Sequence, residues 1–219
     1  SPDDAALLLA RTLPPPPRLG VACDEMSCTT LQLPAAPGAA AFYGDAIDLT
    51  GDGEAEIVRR VAGQVVIYEG GAEVWRTPAT WQIDDIALGD PNNDGRYELL
   101  LAIHRPDAAG ILRSQPYIIG YRGGRYDLLW GGRPVADPIQ ELVVGDVDGD
   151  GLQELAVIEA LADGSAQALT IWRWSGWAFT LRWRSEPGCY RDLRFVGGEE
   201  PPLSVGGGCL KIGTVPTTP

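Results

Sequence analysis

Three stretches of the chain repeat one nine-residue acidic pattern in the same register. They read Asp48-Leu-Thr50-Gly-Asp52-Gly-Glu54-Ala-Glu56, Asp90-Pro-Asn92-Asn-Asp94-Gly-Arg96-Tyr-Glu98 and Asp146-Val-Asp148-Gly-Asp150-Gly-Leu152-Gln-Glu154. Each carries an oxygen-bearing side chain at its first, third, fifth and ninth positions, and glycine always follows the fifth. Alternate residues of a tight loop can aim their oxygens at one centre, and a hard cation such as Ca2+ takes about six to eight of them. The glycine permits the sharp turn that brings the ninth side chain back to that centre. Backbone carbonyls of Glu54, Arg96 and Leu152 complete the expected ligand sets. A solvated acidic turn is the simpler reading of any single loop. Three in register, each closed by Glu, point to three Ca2+ sites. The third loop offers four carboxylates and each of the others three, so it is expected to bind most tightly.

The spacing of the loops predicts the architecture. They begin 42 and 56 residues apart, a period at which each repeat forms one supersecondary unit and buries its faces by stacking. A short apolar strand enters each loop, as in Ile86-Ala-Leu88-Gly-Asp90 and Leu142-Val-Val144-Gly-Asp146. A second strand leaves through the final Glu56, Glu98 or Glu154, and a hairpin with a glycine turn follows, ending on Trp75, Trp130 or Trp183. Four strands per unit describe a blade of a β-propeller. The extra length of the second unit, around Arg105 to Gln115, is expected to be a loop.

These residues resemble the FG-GAP/VCBS repeats of the integrin-α-type propeller family, over about residues 42–196. That family sets Asp-x-Asp-x-Asp-Gly-x-x-Asp loops between the first two strands of its blades, and the resemblance implies Ca2+ in them. Two features differ. The ninth position is Glu here, which still permits bidentate coordination, and the chain is too short for the seven blades of familiar members.

The remaining segments suggest four blades. Arg191 to Val196 looks like a further entering strand, with Gly197-Gly-Glu-Glu-Pro-Pro202 in place of the acidic loop and Leu203-Ser-Val205 as its second strand. Arg18 to Cys23 and Cys28 to Leu33 look like an outer hairpin lacking inner strands. Together they would form a closing blade without calcium, which removes the open sheet edges. Cys209 to Gly213 is either an extension or a third strand, and a half-ring completed by another chain is the structural alternative. The expected fold is thus an all-β, four-bladed propeller with a short N-terminal helix. Its divisions are a leader over 1–17, one domain over 18–215 and a tail over 216–219. Within the domain the closing blade takes 18–34 and 189–215, and the three calcium blades take 40–77, 84–131 and 139–185. In the leader, Ser1-Pro2-Asp3-Asp4 is a helix start for Ala5 to Leu13, and Pro14 to Pro17 form a stiff spacer.

The net charge of −13 speaks against nucleic acid or an anionic membrane as partner. Four cysteines fit two disulfides; in an up-down blade Cys23 and Cys28 flank one hairpin tip, while Cys189 and Cys209 fall near the opposite end. Disulfides and low-affinity calcium loops both suit an oxidising, calcium-rich exterior, so an extracellular or cell-surface address is expected, with an anchor upstream of Ser1 as one means of attachment. The sequence shows neither a membrane-spanning apolar stretch nor a signal peptide.

No enzyme is expected. His104, the single histidine, ends a strand and reads as a surface residue, and Asp84-Asp85 reads as a turn before the next strand. Trp172, Trp174, Trp177, Phe179, Leu181 and Trp183 alternate along one hairpin and should share a face, most of it packed between blades. Trp177, at the Ser175-Gly176 turn, and Trp174 form the candidate ligand platform. Two functions follow. One is a non-catalytic interaction module, adhesion-type or part of a surface assembly, with a protein or cell-surface ligand. The alternative is a carbohydrate-binding propeller or the non-catalytic domain of a polysaccharide-processing enzyme.

Overall fold

The computed structural model describes residues 18–23, 28–33, 46–106, 109–110, 112–131, 138–161, 164–195 and 203–207, and among them there are strands and no helix. The leader with its helix and proline spacer, the segment replacing the fourth acidic loop, Cys209 and the tail lie outside the described residues. No helix among the described residues is long and apolar enough to cross a membrane.

A hairpin of β1 (Arg18–Cys23) and β2 (Cys28–Leu33) opens the described chain. The first sheet follows as β3 (Ala46–Ile47), β4 (Glu56–Val61), β5 (Gln64–Glu69) and β6 (Ala72–Arg76). The second is β7 (Gln82–Gly89), β8 (Glu98–Pro106), β9 (Leu112–Arg122) and β10 (Arg125–Trp130). The third is β11 (Ile139–Gly145), β12 (Glu154–Ala160), β13 (Gln167–Trp174) and β14 (Phe179–Arg184). Each of these is an antiparallel meander in chain order. The last two strands, β15 (Tyr190–Phe195) and β16 (Leu203–Gly207), join the opening hairpin in a composite sheet of order β15-β16-β1-β2. Leu19 pairs with Val205 and Val21 with Leu203, so β1 fills the third place and the division is two strands plus two.

Successive sheets stack through their faces. In β8, Leu99, Leu101 and Ile103 pack with Val58, Val65 and Ile67 of the first sheet, while Leu100 and Ala102 pack with Leu142, Val144, Leu155 and Val157 of the third. A strand covered on both faces must be apolar throughout, which is why Leu99 to Ile103 runs without a polar residue. In β12 the same alternation sends Ala156 and Ile158 towards Leu193 and Val205 of the composite sheet.

The leading strands β7, β11 and β15 adjoin one another. Asp85 Oδ2 accepts from Leu142 N at 2.8 Å, and Glu141 Oε2 accepts from Leu193 N at 2.7 Å, so each link ties one leading strand to the next. Both acids directly follow a bulge in their strands, which re-aims the side chain off the sheet's own ladder. Gly89 and Gly145, the last residues before two of the loops, face the following sheet closely: a Cβ there would stand 2.7 Å from Val144 Cγ1 and 2.5 Å from the Phe195 ring.

Three expectations need correction. The extra length of the second unit is mostly strand, since Arg105 pairs with Arg113 and Pro106 with Leu112. Asp84 and Asp85 lie in β7 at its bulge and not in a turn before it. Trp183 does not share a face with Trp172 and Trp174. A bulge between Ile171 and Trp172 sets Trp183 opposite Ile171 and Leu181 opposite Trp172, which reverses the parity after Arg182. Trp183 therefore packs towards the composite sheet, and Trp172, Trp174 and Phe179 towards the second.

Deleting residues 1–17 should leave a folded monomer, whereas deleting 1–34 removes β1 and β2, strips β16 of its partner on one edge and should give aggregation or unfolding. Size-exclusion chromatography and thermal melts of the two truncated proteins decide it, and equal behaviour would show that the opening hairpin does not hold the fold together.

Candidate metal centre

Each acidic loop joins the first strand of its sheet to the second, and the three adopt one conformation. Backbone φ is positive at the fourth position (Gly51 80°, Asn93 55°, Gly149 78°) and again at the sixth (Gly53 90°, Gly95 84°, Gly151 86°). Left-handed backbone at two positions curls the chain around its own first side chain. The sixth N–H accordingly donates to Oδ2 of the first aspartate, at 2.9 Å to Asp48, 2.8 Å to Asp90 and 2.9 Å to Asp146. The seventh N–H donates to Oδ1 of the fifth, at 2.9 Å to Asp52, 3.1 Å to Asp94 and 2.9 Å to Asp150.

The ninth residues Glu56, Glu98 and Glu154 begin the central strands β4, β8 and β12 and are all buried, at 1%, 0% and 2% exposure. Such burial is costly for a charge unless it is paired. Glu56 Oε2 accepts from Leu49 N at 2.7 Å and Thr50 N at 3.2 Å, and Glu154 Oε2 accepts from Val147 N at 3.0 Å. Glu98 Oε2 and Glu154 Oε1 have no hydrogen-bond partner among the described residues. Burial pushes both acids up to about 7, against the opposing pull of the Arg122 hydrogen bond on Glu98 and of the Val147 N–H on Glu154. A buried carboxylate oxygen without a donor is what a bound cation would satisfy.

Carboxylates converge in two loops among the described residues. Asp90, Asp94 and Glu98 form one group and Asp146, Asp148 and Glu154 the other, with their oxygens mutually within 4.8 Å. In the first loop the Thr50 hydroxyl is turned to Glu56 Oε1 at 3.4 Å, and Asp48 is occupied by loop N–H groups. Asn92 stands beside Asp94, and Arg96 and Leu152 occupy the seventh positions, their N–H groups on Asp94 and Asp150.

Two features of the loops were not apparent from the pattern. Asn93 and Gln153 clasp the second loop to the third: Asn93 Nδ2 donates to Gln153 O at 3.0 Å, Gln153 N donates to Asn93 Oδ1 at 2.7 Å, and Asp90 N donates to Gln153 Oε1 at 2.7 Å. Glycine at the fourth position of the other two loops cannot do this. The second feature is arginine. Arg122, from β9, donates to Asp94 and to Glu98 Oε1, the latter at 2.6 Å. Arg173, from β13, donates to Asp150 and lies 3.8 Å from Asp148 and 3.6 Å from Glu154.

At the far end of the second sheet, His104 is not a free surface residue. Its Nδ1 lies 2.6 Å from Asp84 Oδ2 and its Nε2 lies 2.9 Å from Ser114 Oγ. The order Ser, His, Asp is that of a hydrolytic triad, but Ser114 is wholly buried and its Oγ accepts from Ile139 N of the third sheet at 2.8 Å. A nucleophile must reach its substrate, and this hydroxyl has no exposed surface. The three residues brace the contact between the second and third sheets. The strand pairing of His104 with Ser114 brings them together, and spacing in the sequence gave no sign of it.

Cys23 and Cys28 form a disulfide across the β1–β2 hairpin, and Cys189 is disulfide-bonded as well. Trp177 is 63% exposed, while Trp174 is half-buried against Trp130 and Phe179 at ring separations of 5.4 and 5.2 Å. The two tryptophans therefore do not form one open platform.

No protein-family model matches the chain, and no curated protein matches it significantly.

Replacing Asn93 by Gly keeps the left-handed backbone but removes the clasp's side-chain bonds, and denaturant unfolding should show a loss of about 1–3 kcal/mol. Ser114→Ala leaves Ile139 N–H buried without its acceptor and should cost a similar amount, about 1–3 kcal/mol by the same measurement.

Proposed function

We propose that this chain is a calcium-stabilised, four-bladed β-propeller resembling the FG-GAP/VCBS type, and that it serves outside the cell as a non-catalytic interaction module. The observation that carries the reading is the common conformation of the three loops, with the same two left-handed positions and the same two carboxylate–amide bonds in each. Carboxylate oxygens gathered in two loops, with one buried oxygen of Glu98 and one of Glu154 left without a donor among the described residues, are chemically suited to a hard divalent cation. Asp48, Asp52 and Glu56 hold the first ion with Thr50; Asp90, Asn92, Asp94 and Glu98 hold the second; Asp146, Asp148, Asp150 and Glu154 hold the third. A bound ion supplies positive charge where three chain segments bring their acids together. The protein's part is to hold the loop backbone in place and to keep the ninth carboxylate out of water.

Four four-stranded sheets, in which the leading strand β11 adjoins both β7 and β15, support a ring, and its closure requires the composite sheet to meet the first. The Cys23–Cys28 disulfide fits an oxidising compartment. The ligand is a protein or another cell-surface molecule. The glycan reading has one specific observation in its favour, the exposed Trp177 at the tip of the β13–β14 hairpin, since an exposed amphipathic ring can stack on a sugar.

Calorimetry and anomalous scattering should find three calcium ions per chain. Chelation should lower the melting temperature markedly, because an ion at about a hundredfold over its dissociation constant contributes about 2.7 kcal/mol per site. Magnesium should not restore it, as its small octahedral shell fits such loops poorly. An unchanged melt in excess chelator would refute a structural role for the ion. Sugar binding on a glycan array that is lost in Trp177→Ala would decide for the alternative.

A further inference from the structure

Arg122 and Arg173 come from different repeats, yet both end in the same place. Each is half-buried on the third strand of its sheet, and each guanidinium meets the fifth and ninth carboxylates of the acidic loop joining that sheet's first two strands. They reach it by different routes. In the third sheet Leu155 pairs with Trp172, so Arg173, the next residue, stands opposite Glu154. In the second sheet Leu99 pairs with Ile119, and the equivalent residue is Gly120. A Cβ there would meet Glu98 Cγ at 2.9 Å and Arg122 Nη1 at 3.3 Å. The glycine leaves room for Arg122 to reach back from two residues further on. Its Nη1 is fixed by donation to Tyr121 O at 2.9 Å. In the first sheet Ile57 pairs with Tyr68, and the equivalent residue is Glu69, an acid.

We infer that Arg122 and Arg173 are resident counter-cations of the second and third loops, which a calcium ion has to displace, whereas the first loop takes its ion without such an exchange. The inference rests on the calcium reading given above. A guanidinium on the fifth and ninth carboxylates occupies two of the ion's ligands and places a positive charge a few ångströms from the ion's position. It thus opposes a divalent cation electrostatically as well as by occupancy. In return it neutralises a buried acid when no metal is present. Glu98 Oε1 has Arg122 at 2.6 Å, while among the described residues the first loop has no arginine as a hydrogen-bond partner and relies on the Leu49 and Thr50 amides. The expected order of affinities is then reversed for the third loop: its fourth carboxylate is offset by Arg173, which touches three of them.

The test compares wild type with Arg122→Gln, Arg173→Gln and the double variant by calcium calorimetry at low ionic strength, and by melts in calcium and in chelator. Wild type should show one tight and two weaker sites. Each glutamine substitution should tighten one weaker site about tenfold, and the double variant should do so for both. In chelator the same variants should melt below wild type, and Arg173→Lys, which keeps the charge, should retain most of the wild-type behaviour in both measurements. Calcium bound equally tightly by wild type and variants overturns the exchange and leaves the calcium sites standing. Absence of calcium binding in every protein overturns the calcium reading and the exchange with it. Variants that melt like wild type in chelator overturn the counter-cation role independently of calcium. Circular dichroism spectra matching wild type establish that each variant is folded.

Discussion

The structure turns on three carboxylates that are buried where charge is least welcome. Glu56, Glu98 and Glu154 each open the central strand of a sheet, almost without contact with water. A carboxylate in that position needs donors or a cation, and each loop supplies them differently. The first uses two backbone amides, the second a guanidinium, the third an amide with a guanidinium nearby. Because the ninth residue both closes the loop and starts the strand, the electrostatics of the loop and the register of the sheet cannot vary separately. Shifting either by one residue would carry the acid to the other face of its strand, which in β8 and β12 is apolar as well.

Packing between sheets repeats the same economy. Leading strands touch through Asp85 and Glu141, which accept amide hydrogens from the next strand. Bulges make this available by freeing one residue from the ladder. Gly89 and Gly145 let the following sheet approach closely, and the Asn93–Gln153 clasp fastens the two loops that gather acids. The first loop has no such clasp with the second. The second and third units are therefore joined at the core, along the leading strands, through the loops and through the Ser114 brace. Among the described hairpin tips, the one bearing Trp177 carries the most exposed large apolar side chain.

The loops, the order of strands and the periodic alternation could be read directly from the chain. Oxygen side chains at fixed offsets with glycine after the fifth are a local pattern, and local backbone sterics allow that pattern few conformations. The run from Leu99 to Ile103 was likewise legible as a strand, and the stacked sheets show that it is covered on both faces. That the opening hairpin joins the last strands was legible because each half lacked the strands that the other supplied, whereas the division into two and two came from the strand order.

Tertiary structure decided what depends on neighbours distant in sequence. A bulge at Arg182 turned Trp183 away from the other tryptophans, since one extra residue inverts the parity of everything beyond it. His104, Asp84 and Ser114 met because their strands pair, and burial of Ser114 set their role. The arginines in the second and third loops had no sequence signal, because one reaches in from directly opposite the ninth glutamate and the other from two residues further along. The sequence by itself determined where oxygens could gather and which strands would carry them, both being matters of local geometry and hydrophobic period. Which cation neighbours those oxygens, and which face each aromatic ring covers, was left to the packing of the sheets, because charge and burial are properties of the assembled neighbourhood and not of any one segment.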